Sequence, residues 1–215
     1  MKIATIGTGS MAKALGLRWA QAGHDVWFGS RDASKAESVA SGIGHGARGG
    51  ENQAVAAIAD VIFYTVRGVY PSTVLDDASV LSGKVVLDCN NFDIPSNFDY
   101  DPITISLAEQ LQADVPDANV VKFANTMAAQ VFDHAPERLA ELNVTGYVAG
   151  DDDQARATAV RLASDVGLTP HDCGTLLQAR LLEGLANFIR FVLIGQQRGP
   201  FMSISTLQLP EPQTS

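Results

Sequence analysis

Cysteine is scarce in this chain, which has two, Cys89 and Cys173, among its 215 residues. Their spacing matches no common metal-binding motif, and two cysteines are too few for a disulfide framework. The sequence therefore favours a reducing compartment, and we expect the protein to be cytoplasmic. Because the chain opens on a predicted strand, we also expect no signal peptide.

Positive charge and long uncharged apolar runs are scarce as well. The 15 Lys and Arg residues stand against 24 Asp and Glu, which gives a net charge of −9. Without an excess of basic residues the chain cannot neutralise the phosphates of a nucleic acid, so we expect no such partner. The most apolar segment, 176–194, carries Arg180, Glu183 and Arg190. These charges predict a buried or interfacial helix and no membrane insertion.

A glycine-rich turn near the start of the chain is its most informative feature. The apolar run Lys2–Ile6 is typical of a strand, and it leads into the pattern G-x-G-x-x-A at 7–12, which opens a helical segment. In this context the pattern predicts a dinucleotide site. Gly7 permits the tight turn, Gly9 lets the backbone approach a pyrophosphate, and the helix N-terminus faces the anion.

The end of the second predicted strand indicates which dinucleotide binds. An NAD site normally places Asp or Glu about 20 residues after the glycines. This chain instead has Ser30, Arg31 and, one helical turn later, Lys35. A hydroxyl, a guanidinium and an ammonium would bind a 2′-phosphate, which a carboxylate would repel. The sequence therefore predicts NADP(H), unless Arg31 and Lys35 are only solvated charges at a helix start.

Predicted strands and helices alternate along the rest of the chain. The run Val61–Val66 is uninterrupted and apolar, which is typical of a strand covered on both faces. The alternation predicts an α/β fold, a doubly wound and mostly parallel Rossmann-type sheet with a short α/β C-terminal extension. We expect one NADP-binding domain over 1–207, with a dinucleotide-binding core at 1–125 and the extension at 126–207. A flexible tail is predicted for 208–215.

Polar residues follow the carboxyl ends of two predicted strands, where ligands bind in doubly wound sheets. Arg67 follows the fourth strand, so we expect it to border the cofactor. Asn90 and Asn91 follow the fifth strand. Two consecutive amides suit a nicotinamide ribose or a substrate, but they are equally good turn formers.

No side chain is predicted to be catalytic or to bind a metal. The four histidines, His24, His45, His134 and His171, lie in predicted turns, loops or a strand, and we expect them to be structural or exposed. The acidic triplet Asp151–Asp153 is better explained as a helix cap than as a metal site.

Three stretches of the chain resemble one enzyme family. They are GTGSMAKALGLRWAQAGHDVWFGSRDASKAE at 7–37, VVKFANT at 120–126, and GDDDQARATAVRLASDVGLTPHDCGTLLQARLLE at 150–183. They are similar to the NADP-dependent oxidoreductases that use the deazaflavin coenzyme F420. They also resemble the NADPH domain of the six-transmembrane metalloreductases.

The resemblance implies a set of cofactor contacts. The NADP phosphates would lie on the glycine turn, the 2′-phosphate at the end of the second strand, and the nicotinamide end just after the fourth strand and at 129. Together with the residue-based predictions, the expected cofactor-binding residues are Gly7, Thr8, Gly9, Ser10, Met11, Ser30, Arg31, Lys35, Val66, Arg67, Asn90 and Ala129.

The resemblance also implies hydride transfer between NADP(H) and a deazaflavin or flavin, either F420 or FMN/FAD, in a cleft lined by the second half of the chain. The segment Asn125–Ala128 stands where deazaflavin enzymes carry His-Thr-Ile-Pro, and its asparagine is associated with the metalloreductase domains. One alternative is therefore an NADPH-dependent flavin or ferric reductase, and another is a non-catalytic NADP-sensing module. Imine reduction is disfavoured, because the chain after Gly150 continues the α/β pattern where those enzymes add a long helical domain.

An apolar stripe in the last helical segment raises the question of oligomeric state. At helical spacing it either closes the last face of the sheet or forms a dimer interface, and the resemblance favours a homodimer. Its residues are Leu176, Leu177, Leu181, Leu182, Leu185, Phe188, Ile189 and Val192.

Overall fold

Eight strands form one sheet in the computed structural model, which describes residues 1–210. Their order is β3-β2-β1-β4-β5-β6-β7-β8. After β3 the chain crosses to the other side of β1, so the switch point of the sheet lies between β1 and β4. Every neighbouring pair is parallel except β6–β7. This confirms the predicted Rossmann-type fold. The strands are β1 Lys2–Ile6, β2 Asp25–Ser30, β3 Arg48–Glu51, β4 Val61–Tyr64, β5 Val85–Asp88, β6 Asn119–Phe123, β7 Thr145–Gly150 and β8 Thr169–Asp172.

Helices cover both faces of the sheet. One core cluster joins the sheet to α1, α2 and α7, and the other joins it to α3 and α5. The helices are α1 Ser10–Gln21, α2 Ala33–Ile43, α3 Asn52–Ile58, α4 Pro71–Val74, α5 Leu107–Asp114, α6 Pro136–Glu141, α7 Asp153–Asp165 and α8 Ala179–Arg190. Shorter helical turns lie at Ala78–Leu81, Ala129–Asp133, Leu176–Gln178 and Phe191–Gly195.

The strands bury alternate residues on opposite faces. In β4, Val61 and Phe63 belong to the α1 side, whereas Ile62 and Tyr64 belong to the α3 side. This explains why the predicted strand reads as an unbroken apolar run. The strand is nevertheless shorter than the predicted Val61–Val66. Its neighbour β1 ends at Ile6, where the chain turns away, so pairing cannot continue.

An indole fixes helix α1 against the sheet. The Trp19 ring packs edge-on against Phe63 and tilted against Phe123, with ring centroids 5.3 and 6.0 Å away. Its Nε1 donates a hydrogen bond to the Leu162 carbonyl of α7 at 3.0 Å. Because α1 starts at the glycine turn, this packing also fixes the position of that turn.

The last helical segment departs from the prediction of one helix over 176–194. It consists of a short 3-10 turn, helix α8, and a π-helical turn at Phe191–Gly195. Its apolar stripe is only partly buried, and a dimer interface stays a prediction. Leu182 and Ile189 are buried, whereas Leu181 and Phe188 are 70% and 57% exposed.

Two further predictions concern the ends of elements and of the chain. Asp152 caps α7 by accepting a hydrogen bond from the Ala155 N–H at 2.7 Å, as predicted for the acidic triplet. The predicted flexible tail falls mostly on 211–215, which lie outside the described residues. Within residues 1–210, every helix falls short of the length or the apolarity that crossing a bilayer requires.

Candidate active site

The glycine turn is built around two glycines with different tasks. Gly7 has a φ of +109°, and a Cβ there would lie 2.5 Å from Thr65 Oγ1, at the end of β4. A side chain is therefore excluded by both the backbone conformation and the neighbouring strand. A Cβ on Gly9, by contrast, would meet no described heavy atom within 4 Å. The missing side chain of Gly9 leaves open space where a pyrophosphate can approach the backbone.

The N-terminus of α1 faces this space without a side-chain cap. Gly9 is the N-cap residue, and the first turn of the helix contains no acidic residue. Helices α2 and α7, in contrast, are capped by Asp32 and Asp152. The free N–H groups and the positive end of the α1 dipole therefore remain available to an anion.

A first cavity, which we name the glycine-turn cavity, lies above this turn and has a volume of about 430 Å³. It is lined by the glycine turn, the end of β2 and the loop after β4. Eight of the predicted cofactor-binding residues line it: Gly7, Thr8, Gly9, Ser30, Arg31, Lys35, Val66 and Arg67. Contact with a cofactor stays a prediction for each of them.

Asp32 follows directly after Arg31 and would oppose a phosphate if it faced the cavity. Its carboxylate instead accepts hydrogen bonds from the N–H and the hydroxyl of Ser34, at 3.0 and 2.6 Å. The hydroxyl hydrogen bond from Ser34 is the largest effect that lowers the pKa of Asp32. This carboxylate is thus committed to capping α2 and is not among the residues lining the cavity.

Asn52 also lines the glycine-turn cavity and was not among the residues predicted from the sequence. This residue starts α3 directly after β3 and is buried. Its Oδ1 has no hydrogen-bond partner within the described residues. A buried acceptor without a partner costs stability. The sequence signal was weak, because Asn at a helix start usually indicates only a cap.

A second cavity, which we name the amide cavity, adjoins the first and is also about 430 Å³ in volume. The two cavities share Gly9, Thr65 and Arg67 in their walls. The remaining predicted residues, Ser10, Met11, Asn90 and Ala129, line this one. Amide side chains form one part of its wall: Asn90, Asn91, Asn125 and Gln130. Apolar side chains form another: Ile94, Met127, Ile189, Leu193 and Ile194.

Two of these amides are locked together. Asn125 Nδ2 donates to Asn91 Oδ1 at 2.9 Å and to the Leu182 carbonyl at 2.9 Å, while Asn91 Nδ2 donates to the Asn125 carbonyl at 2.8 Å. Asn125 is buried, and its Oδ1 has no partner among residues 1–210. The hydrogen bonds of its Nδ2 fix the Asn125 side chain in the wall of the amide cavity.

A buried ammonium supports the floor of the amide cavity. Lys122 Nζ lies 2.6 Å from Asp88 Oδ2, 2.7 Å from Glu183 Oε1 and 2.6 Å from the Asn90 carbonyl, to which it donates. Burial by itself would lower the pKa of Lys122, but the charges of Asp88 and Glu183 outweigh it and raise that pKa. The charged ammonium thus holds the Asn90 backbone in place. No pattern in the sequence singles out Lys122.

The cysteine in the cavity walls and the four histidines do not have the surroundings expected of a nucleophile or a proton carrier. Cys89 lines the amide cavity, but burial of its thiol raises its pKa to about 12, so the thiol stays neutral. His24 pairs with Asp165 of α7 at 2.9 Å, which is a structural role. The histidines at 45, 134 and 171 are exposed and do not line either cavity.

A doubly wound sheet whose switch point carries an uncapped helix N-terminus and basic side chains is the architecture of an NADP-dependent oxidoreductase. The family model described as NADP oxidoreductase, coenzyme F420-dependent, matches residues 2–92. The F420-dependent NADP reductase of Methanothermobacter thermautotrophicus is 30% identical in an alignment 200 residues long, gaps included, that covers 85% of this chain and 85% of that protein. The chain therefore belongs to the F420-dependent NADP oxidoreductase family.

Two further similarities extend the comparison. A solved structure of a proposed F420-dependent NADP reductase from Arthrobacter sp. FB24 has a TM-score of 0.80 and 28% identity, and covers 97% of this chain and 100% of that one. The metalloreductase STEAP2 of Homo sapiens is 26% identical over 183 residues, which are 85% of this chain and 35% of that protein. The chain thus spans about a third of the length of the metalloreductases that it matches.

Proposed function

We propose that this protein transfers a hydride between NADP(H) and a deazaflavin or flavin ring. The observation that carries the proposal is the junction of the two cavities along Gly9, Thr65 and Arg67. Hydride transfer needs two rings held in contact, and it needs no acid or base from the protein. Two adjoining cavities suit that requirement.

The glycine-turn cavity fits NADP(H), which supplies the transferable hydride when bound. The open space above Gly9 and the uncapped N-terminus of α1 suit the pyrophosphate. Ser30, Arg31 and Lys35 would hold the 2′-phosphate. Asn52, which lines the same cavity, would border the adenosine end.

The amide cavity suits the acceptor, because its wall has two kinds of surface. The amide side chains match the carbonyl and N–H groups along the edge of a flavin-like ring. The apolar side chains, among them Met127 and Ile189, match the face of such a ring. The F420-dependent relatives support a deazaflavin here.

A flavin that passes electrons to ferric ions is the second candidate acceptor. The observation in its favour is Asn125, the locked amide in the cavity wall, which stands where deazaflavin enzymes carry histidine. The likeness to a metalloreductase points the same way. Both candidates use the same hydride donor.

The acceptor can be identified by following NADPH oxidation with F420, FMN, FAD and a ferric chelate in parallel. Rapid oxidation with F420 alone would support the deazaflavin proposal. Oxidation that requires FMN or FAD, with or without the chelate, would support the flavin candidate. Tight NADPH binding without turnover on any of the four would contradict the proposal and favour a sensing module.

We propose, in addition, that the protein is a homodimer in the cytoplasm. The exposed half of the apolar stripe on α8, which includes Leu181 and Phe188, supports self-association, because exposed apolar patches on helices commonly mark interfaces. Cys89 and Cys173 are free thiols, which fits a reducing compartment.

A further inference from the structure

Two guanidinium groups line the amide cavity in addition to its amide and apolar side chains. Arg67 lies in the wall that both cavities share, and Arg190 belongs to the amide cavity alone. Arg190 is the last residue of α8 and is partly buried. Its Nη1 donates to the Phe92 carbonyl at 2.6 Å. This bond fixes the guanidinium against the loop that follows β5.

The charge in this cavity contrasts with that of the whole chain. The protein has a net charge of −9, yet the lining of the amide cavity includes two arginines and no Asp or Glu among the described residues. The nearest buried carboxylates, Asp88 and Glu183, are already paired with Lys122. Asp93 contacts Arg67 at 3.4 Å but extends into solvent. The charged side chains that line the amide cavity are therefore all positive.

The guanidinium of Arg190 has few hydrogen-bond partners. Burial lowers its pKa, as does the neighbouring positive charge of Arg67, whereas Tyr100, Asp93 and Glu183 oppose this shift. Within residues 1–210, the Phe92 carbonyl is the one hydrogen-bond partner of its guanidinium. The remaining N–H groups are thus available for the bidentate contact that arginine makes with phosphate or carboxylate.

We infer that Arg190, together with Arg67, forms an anion-binding subsite for a phosphate or carboxylate group carried by the acceptor. This inference rests on the proposed function, and it narrows the acceptor to an anionic deazaflavin or flavin. The ring of the acceptor would lie against the amide and apolar walls, and its charged tail would reach the two guanidiniums. Arg190 is then a residue that determines specificity for the acceptor.

Matched pairs of acceptors with and without an anionic tail test the subsite. FMN is compared with riboflavin, and F420 with the same deazaflavin lacking its phosphate-containing tail, all at saturating NADPH. The wild-type protein should have a higher kcat/KM for the charged member of the pair it uses. Arg190→Gln should lower the ratio of kcat/KM for the charged acceptor to kcat/KM for the neutral one about ten- to hundredfold. This change corresponds to the usual contribution of a hydrogen bond to a charged group.

Two comparisons control for charge and for folding. Arg161→Gln removes one positive charge from the exposed surface of α7, outside both cavities, and should keep the wild-type ratio. Arg190→Lys keeps the charge but loses the planar fork, so it should retain part of the preference. Should Arg190→Gln fail to fold, added salt should still lower kcat/KM for the charged acceptor of the wild type more than for the neutral one.

The outcomes separate this inference from the proposed function. If the wild type reduces charged and neutral acceptors equally, the subsite is wrong while the proposed function stands. If Arg190→Gln raises the KM for NADPH equally with both acceptors, the guanidinium binds the dinucleotide and the inference is overturned. If no member of either pair is reduced, the proposed function fails and the inference fails with it.

Discussion

At the scale of single residues, the site depends on the space that its glycines leave open and on amide side chains that are held in place. Gly9 keeps space free above the N-terminus of α1, where a Cβ would meet no described heavy atom within 4 Å. Asn91 and Asn125 are fixed by hydrogen bonds to each other in the wall of the amide cavity. Substitutions at single positions of the glycine turn should therefore separate a loss of binding from a loss of stability.

The two glycines of the turn should respond differently to alanine. Gly7→Ala meets both a φ of +109° and the Thr65 hydroxyl, so it should lower the melting temperature. Gly9→Ala meets no described atom within 4 Å. It should leave the melting temperature nearly unchanged while weakening NADPH binding about tenfold or more, a loss of at least about 1.4 kcal/mol. Thermal melts and NADPH titrations measure both effects, and equal NADPH affinity in Gly9→Ala and wild type would contradict the phosphate assignment.

The choice of NADP over NAD should depend on Arg31. Arg31→Gln removes one charge-assisted contact to the 2′-phosphate, so we expect the preference for NADPH over NADH to fall about tenfold. Affinities for both dinucleotides are to be measured side by side, with Arg161→Gln as the control for overall charge. A preference that survives in Arg31→Gln would show that Arg31 is only a solvated charge.

At the scale of elements, the amide cavity exists because α8 returns to the ends of β5 and β6. Two ionic contacts attach this helix. Glu183 joins the buried Lys122, and Arg180 makes a two-point contact with Glu109 of α5, with N–O distances of 2.8 and 2.6 Å. The first contact is shielded from water and the second lies near the surface. They should therefore respond to different perturbations.

Removing the buried ammonium should be costly. Lys122→Met leaves Asp88 and Glu183 buried without their counter-ion, and we expect a loss of about 3–5 kcal/mol in the free energy of unfolding. The double variant Lys122→Met/Glu183→Gln removes one of the stranded charges and should recover part of that loss. Denaturant titrations measure both values. A single variant as stable as wild type would show that the network does not hold the site together.

The Arg180 contact should make stability depend on acid. The hydrogen bond from Arg180 is the largest effect that lowers the pKa of Glu109, from 4.5 to about 2. A depressed pKa contributes stability that is complete above about pH 4.5 and is lost as the pH falls through about 2. Melting temperatures across this interval should decline less steeply in Arg180→Gln than in wild type. Arg138→Gln, which breaks an exposed ion pair, should leave the slope as it is.

At the scale of the whole molecule, the sequence predicted the sheet, and packing decided the details of the site. The glycine turn, Ser30 and Arg31 are local signals at strand ends, and the structure brings all of them to the same cleft. Arg190 and Lys122 carried no such signal. Arg190 meets the chain 98 positions away, at Phe92, and the partners of Lys122 lie on other elements. Contacts of that range depend on tertiary packing.

The oligomeric state is a prediction at this scale. Leu181→Glu places a charge on the exposed face of α8, where the side chain is 70% exposed and the core is undisturbed. We expect this variant to stay folded and to halve the mass in solution, as measured by light scattering. Leu207→Glu, at a leucine that is 75% exposed and lies outside α8, is the control. A folded Leu181→Glu protein of unchanged mass would contradict an interface on this face.

Hydride transfer from NADPH to a deazaflavin or flavin can be followed through both the donor and the acceptor. The most direct test records NADPH oxidation and acceptor reduction in the same sample, with F420 and with FMN, and repeats both with NADH. We expect one acceptor molecule to be reduced for each NADPH consumed, and NADH to be a much poorer donor. NADPH binding without reduction of either acceptor, or equal rates with NADH, would contradict this expectation.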